Sequence, residues 1–363
     1  MKRYKNPESE QPLSIRDFYE RRNRVLLWHQ KGGLGDVFMH RMLFEDFQRT
    51  MPDAEFVFAC LPEYHHAAEN HPYVTEVLDS RKVNQKEFTM IYNTCVTLAD
   101  RYENRNAPLC DAHRSDIWAN YCGVMLNKHE MHINIDPKIQ ARMRSRMEAL
   151  SPGKPIVAFI PISKMVNKTL LDWQVKVLLD ELKDCCVVGL HKEEMPGVPG
   201  IYDICIREWM ACIAAADYVI SVDTAAFHCA GGLKKPLVGI FTFADGKAYG
   251  KHFDFVLVQK HRDLKCNWDC GPCFKFGECP ISRKTPKPCL TELSEKQIRD
   301  GIRAMFLRWP WDQHSFSCKD QQLHLKDHEE NILPTPSRVI KDSVFSPGVG
   351  FVYRHDEQNF PAD

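Results

Sequence analysis

The chain has 363 residues, 44% of them hydrophobic, and its 48 basic and 48 acidic side chains cancel to a formal charge of zero. At about 150 residues per domain this length predicts two domains, the apolar share excludes a disordered chain, and apolar runs no longer than residues 156–162 or 236–243 fall far short of the roughly 20 needed to span a membrane. The neutral balance argues against a nucleic-acid partner, while a polar N-terminus and 15 scattered Cys, an odd number, predict free thiols in a reducing, cytoplasmic compartment.

Residues 1–23 lack apolar periodicity and read as a polar N-terminal arm. A first domain is expected over 24–152. It opens with an apolar run Val25–Trp28, a Gly-rich turn Lys31–Gly35, a helical stretch Val37–Thr50 and a second run Glu55–Cys60. Strand, turn, helix, strand is a βαβ unit and implies a parallel sheet. Phe88–Asn93 is expected as a strand, Asp116–Leu126 as a helix and Asp136–Leu150 as a charged helix, closed by the breakers Ser151-Pro-Gly-Lys-Pro. The same rhythm restarts over 153–308, with strands Ile156–Ile160, Cys185–Leu190, Tyr218–Ser221 and Leu237–Phe241 alternating with helices Leu171–Lys183, Glu208–Ala215 and one opening near Thr224. A Cys-rich loop follows at 266–289, then a helix from Ser294 to about Leu307, where Ser294 and Gln297 have capping-box spacing. Residues 309–363 form a polar C-terminal extension with apolar islands that suit packing on the body or on a partner.

Four segments carry chemistry. Gly32-Gly33-Leu34-Gly35-Asp36 lies between a strand and a helix, where glycines let the backbone turn and a carboxylate faces the crevice in which α/β proteins bind ligands. The plainer alternative is a tight turn with an acid in the first helical turn. Ser163–Thr169 is a polar loop at another strand end, from which Ser163 and Lys168 could reach the same crevice and offset phosphate charge. In Ser221-Val222-Asp223-Thr224-Ala225-Ala226-Phe227-His228, Thr224 suits an N-cap, the N–H groups behind it suit an anion, and His228 lies one turn on. An ordinary cap and a buried His are the alternative. Cys266, Cys270, Cys273, Cys279 and Cys289 crowd one breaker-rich loop, and Cys270-x-x-Cys273 with Cys279 and Cys289 has the makings of a structural Zn or Fe site, Cys266 in reserve, against a redox pair or surplus thiols.

In this order, the segments resemble glycosyltransferase family 9, the ADP-heptose:lipopolysaccharide heptosyltransferases, from about Arg24 to Phe306. Trp209–Phe241, WMACIAAADYVISVDTAAFHCAGGLKKPLVGIF, is similar to the family's donor-site pattern, G-L-G-D at Gly33–Asp36 to its N-terminal motif, N-K-T-L-L-D-W at Asn167–Trp173 to its Lys-containing loop, and the Cys run to a pattern of many members. The chain has Ala225 where the family commonly has Gly. The resemblance implies a GT-B architecture, two Rossmann-like α/β domains facing a central cleft, and an inverting sugar transfer that needs no catalytic cofactor or metal. It implies Asp36 as general base, Lys168, Thr224 and His228 on the diphosphate, and Asp223 as a donor-site residue. The implied partners are a nucleoside diphosphate-sugar such as ADP-heptose and an acceptor hydroxyl on a saccharide, lipid-linked glycan or protein, with the C-terminal extension available for self-association. A nucleotide-sugar epimerase of the same architecture and a non-catalytic nucleotide-sugar-binding protein are the rival readings.

Overall fold

The computed structural model of the chain describes residues 23–191, 194–195, 197–260, 272–274 and 287–311. The arm at 1–22, Cys266, Cys270 and Cys279, and the extension beyond 311 lie outside the described residues.

The first half holds strands β1 (Arg24–Trp28), β2 (Glu55–Cys60), β3 (Glu76–Asp79) and β4 (Met90–Asn93), all parallel, in the order β3-β2-β1-β4. Side chains alternate across the sheet: Val25, Leu27, Phe56 and Phe58 enter the main core, while Leu26, Val57 and Ala59 form a smaller cluster on the other face. Both faces being covered at the centre, β1 and β2 read as continuous apolar runs. Helices α1 (Leu34–Arg41), α2 (Phe44–Thr50), α3 (His65–Ala68), α4 (Val96–Asn106), α5 (Arg114–Tyr121) and α6 (Pro137–Glu148) complete this half.

The second half holds β5 (Ile156–Ile160), β6 (Cys186–Gly189), β7 (Tyr218–Val222), β8 (Leu237–Phe241) and β9 (Val256–Gln259), again all parallel, in the order β6-β5-β7-β8-β9. β5, β7 and β8 are buried along their whole length. Around them run α7 (Asp172–Glu181), α8 (Ile206–Ala215), α9 (Ala225–Gly232), α10 (Gly246–Tyr249), α11 (Pro288–Thr291) and α12 (Glu295–Arg308), the last begun by Ser294, whose hydroxyl accepts the Gln297 N–H. Ligands of open parallel sheets bind where the strand order reverses. Here those points are the carboxyl ends of β1 and β4 in the first sheet and of β5 and β7 in the second.

The helix expected over 37–50 is two. At Met42 and Leu43 the backbone N–H groups bond three residues back, to Met39 and His40, which tightens the chain and starts a new helix at Phe44. Just before the break the fully buried Arg41 donates to the carbonyls of Ala67, Glu69, Met131 and His132, at 2.6–3.0 Å, fastening α1 to two loops without any carboxylate. The helix expected to reach Leu126 stops at Tyr121, because Gly123 takes φ +73° and turns its N–H back to the Asn120 carbonyl at 3.1 Å.

Candidate active site

The turn after β1 depends on two glycines. Gly32 has φ +152°, and a Cβ there would collide with the His29 ring and lie 2.9 Å from Asp36 Oδ2. Gly35 lets the halves touch: a Cβ on it would lie 3.1 Å from the His228 ring and 3.6 Å from the Ala225 backbone. α1 therefore packs on α9, and the switch point of one sheet meets that of the other.

Asp36 is buried in the first turn of α1. Its Oδ2 accepts the Gly33 N–H at 2.8 Å and its Oδ1 accepts Arg114 Nη1 at 2.8 Å. Burial alone would raise this carboxyl, but the charges of Arg114 and His29 and the Gly33 N–H outweigh it and hold the group at about 2. Arg114, at the start of α5, also forks onto Glu103 at 2.8 Å through Nε and Nη2, reaches Asp100 at 2.5 Å, and lies over the Tyr249 ring at 5.3 Å. One guanidinium thus joins three carboxylates; burial pushes those of Asp100 and Glu103 upward.

Behind Asp36 the histidine tautomers follow from what each nitrogen can bond. His40 Nδ1–H donates to the Asp36 carbonyl at 2.7 Å, so its Nε2 accepts the Thr94 hydroxyl at 2.8 Å. His29 Nδ1–H donates to the Thr94 carbonyl at 3.0 Å, which leaves the lone pair on Nε2, buried and without a hydrogen-bond partner. Burial lowers both imidazoles, His40 to about 3. His29 Nε2 and Asp36 Oδ2 are two acceptors bordering the space that the missing side chain of Gly32 leaves open.

From the second half come the residues expected around a diphosphate. Lys168 Nζ lies 2.6 Å from Asp223 Oδ2 and 5.3 Å from the Phe243 ring centre, so these residues from the ends of β5 and β7 meet in an ion pair. Thr224 stands at the N-cap of α9, but its hydroxyl turns to Ser221 Oγ at 3.0 Å and no side-chain oxygen caps the helix. Ser163 Oγ accepts the Met165 N–H at 3.2 Å within its own loop. His228 is buried next to Gly35, lowered by burial to about 4, with Nδ1 unpartnered. The structure thus gathers Asp36, Lys168, Asp223, Thr224, Ala225 and His228 around one junction. Of the Cys group, Cys273 and Cys289 are described, and both pack against the main core.

Arg114, Glu103, Asp100 and His29 were not legible as site residues. No local pattern marks them: Arg114 reaches Asp36 across 78 positions.

Two parallel sheets joined at their switch points define a GT-B-like α/β protein. Residues 203–277 match the family model of glycosyltransferase family 9 (heptosyltransferase), so the resemblance read from the sequence stands. The chain is similar to the glycosyltransferase family 9 protein of Veillonella parvula DSM 2008, 11% identical over 79% of this chain and 97% of that one, with a TM-score of 0.56. It is similar also to E. coli ADP-heptose lps heptosyltransferase II, 11% identical over 79% and 99%, TM-score 0.50, and to the iron-containing dodecameric glycosyltransferase TibC of enterotoxigenic E. coli H10407, 14% identical over 79% and 77%, TM-score 0.60. At these identities the likeness is one of fold. No curated relative matches the chain by sequence.

Proposed function

We propose that the chain is an inverting glycosyltransferase that moves a heptose or related sugar from a nucleoside diphosphate to an acceptor hydroxyl on a saccharide, lipid-linked glycan or protein. The observation that carries this reading is the contact of Gly35 with His228 and Ala225, which joins an acidic strand end to an uncapped helix mouth with a lysine beside it. Transfer must handle two charges. As the acceptor oxygen bonds to the anomeric carbon and the bond to the diphosphate breaks, negative charge gathers on the leaving group; the N–H groups opening α9 and Lys168 would stabilise it. The acceptor proton passes to Asp36, late in the step because a carboxyl held at about 2 is a weak base toward a free hydroxyl. His29 Nε2, with its free lone pair, would orient that hydroxyl. Lys168 and the helix mouth would supply the charge that a catalytic metal otherwise brings.

The first half would hold the acceptor and the second the donor. ADP-heptose is the proposed donor because a TibC structure contains ADP-D-beta-D-heptose. A structural Zn or Fe clamp on Cys270, Cys273, Cys279 and Cys289 is supported by TibC being iron-containing and by the packing of Cys273 and Cys289 on one core. Self-association through the C-terminal extension is proposed by analogy with that dodecamer. Among the described residues no helix is long and apolar enough to cross a membrane, in keeping with the proposed cytoplasmic site. Incubation with ADP-heptose and a panel of other nucleotide-sugars tests the reading: free nucleotide with a glycosylated product of inverted anomeric configuration supports it. An isomerised sugar, or binding without turnover, would replace it with one of the rivals.

A further inference from the structure

Outside this junction, three segments bring one carboxylate and two imidazoles together. Asp116 is in the first turn of α5, His129 in the loop after it, and His252 in the second half, beyond α10. His129 Nε2 lies 3.0 Å from Asp116 Oδ1 and His252 Nε2 lies 3.0 Å from Asp116 Oδ2. The two rings stack, centroids 3.6 Å apart and planes 19° apart, and the three potential ligand atoms lie within 4.8 Å of one another.

If both imidazoles were protonated to pair with Asp116, two cations would sit face to face for one anion. If both are neutral, each can donate its only N–H to a different Asp116 oxygen, or turn a lone pair to the same place. A divalent cation would replace those hydrogen bonds by taking the lone pairs of two neutral imidazoles and the Asp116 carboxylate, whose ligand atoms already lie within 4.8 Å of one another. Zinc bonds nitrogen and carboxylate oxygen at about 2.0–2.2 Å, and tetrahedral ligands at that radius stand a little over 3 Å apart, close to the 3.0 Å from His129 Nε2 to Asp116 Oδ1 and from His252 Nε2 to Oδ2. The side chains are 13–22% exposed, which leaves a fourth position open to water. Around them the buried His113 ring packs edge-on against His252, centroids 5.0 Å apart, and its Nδ1 accepts the Ser115 N–H. Lys251 Nζ is 4.0 Å from Asp116 Oδ2 and half-exposed, too far for a hydrogen bond.

We propose that Asp116, His129 and His252 bind a divalent transition-metal ion of the zinc class, separate from the Cys group, and that this ion ties α5, which carries Arg114, to the second half of the chain. The site shares no residue with the proposed donor or acceptor machinery and is argued independently of it.

Zinc and cobalt(II) are the probes, used on the full chain after chelator treatment. The wild type should retain one more equivalent of zinc on dialysis than His252→Ala or His129→Asn, and the affinity of that extra site should fall at least about 10-fold in either variant, since losing a ligand costs no less than losing an outer-shell partner. His129 has φ +54°, a conformation Asn accepts, so His129→Asn keeps the backbone and decides alone if His252→Ala fails to fold. Cobalt(II) in the wild type should show ligand-field bands beyond those of the species that carries thiolate-to-cobalt charge transfer. Equal zinc content in the wild type and a folded variant, or cobalt bound only through thiolate, would overturn the proposal.

Discussion

Asp36 accepts two different donors, and each sets a different property. The Gly33 N–H bond to Oδ2 holds the start of α1, and the Arg114 bond to Oδ1 sets the charge. In Asp36→Asn the amide oxygen still accepts the Gly33 N–H, and Arg114 keeps Asp100 and Glu103, so no buried charge is orphaned. The amide nitrogen then faces Arg114 Nη1, so that one hydrogen bond is lost together with the capacity to take a proton. General-base catalysis is worth about 10²–10⁴-fold. We expect a turnover loss of that order in Asp36→Asn, with donor affinity unchanged in calorimetry; a variant keeping more than about a tenth of the wild-type rate, short of that range, would leave Asp36 as a helix cap alone. The position was legible because an acid after a Gly-rich turn at a strand end is a local pattern. The partner that makes it a strong acid was not, since nothing near Arg114 in the sequence points to Asp36.

At the scale of elements, β7 and α9 act as one unit. The strand delivers Asp223 and Thr224 to the sheet's end, and the helix begins there with no side-chain cap. Lys168, from the loop after β5, already sits on Asp223. A charge-assisted contact to phosphate is worth about 1.5–3 kcal/mol, so Lys168→Ala should weaken nucleoside diphosphate binding roughly 10–100-fold while leaving the bare nucleoside almost unaffected. Equal losses for both ligands would remove the lysine from the phosphates. The break between α1 and α2 leads to a second expectation. Arg41 serves four backbone carbonyls, and each buried acceptor left without a donor costs about 1–3 kcal/mol. Arg41→Met should cost at least about 3 kcal/mol in urea denaturation; a cost below about 1 kcal/mol would mean that water replaces the guanidinium. A sequence reader sees only an Arg in an amphipathic stretch, a residue type that is seldom buried.

Across the whole molecule, folding buries an unusual set of neutral histidines. Burial lowers His29, takes His40 to about 3, His71 to about 2 and His228 to about 4. Above pH 6.5 these groups are neutral folded or unfolded and contribute no pH dependence. As pH falls below that value the unfolded chain takes up protons that the folded chain refuses, so stability declines, by up to about 1.4 kcal/mol per pH unit for each group. Asp36 acts only in stronger acid: its lowered value gives stability that is present above pH 3.8 and lost as pH falls toward about 2. Asp100 and Glu103, raised by burial, act in the opposite sense, gaining stability on protonation, but in the carboxylate range rather than near neutrality. The melting temperature should therefore drop steadily as pH falls from about 6.5 to about 5, through the histidine range. A flat melting curve over that interval would show that these imidazoles are protonated in the fold.

The order of amino acids is enough to read the alternation of strands and helices and the places where strands end in Gly- or Thr-marked turns. Glu55–Cys60, Ile156–Ile160 and Leu237–Phe241 coincide with their expected ranges because central parallel strands are apolar on both faces. The Gly-rich turn and S-V-D-T were likewise readable, being patterns of a few adjacent residues. Glu76–Asp79 and Val256–Gln259 were not, since they are short strands at the sheet edges and only partly buried. Which strand ends oppose one another depends on packing between distant segments. That Gly35 meets His228, that Arg114 gathers Asp36, Asp100 and Glu103, and that His129 and His252 converge on Asp116 depends on contacts of about 3 Å between elements from distant parts of the chain. Such contacts are set by how helices pack on sheets, and periodicity along the chain records which face of each element is apolar but not which neighbour it will meet.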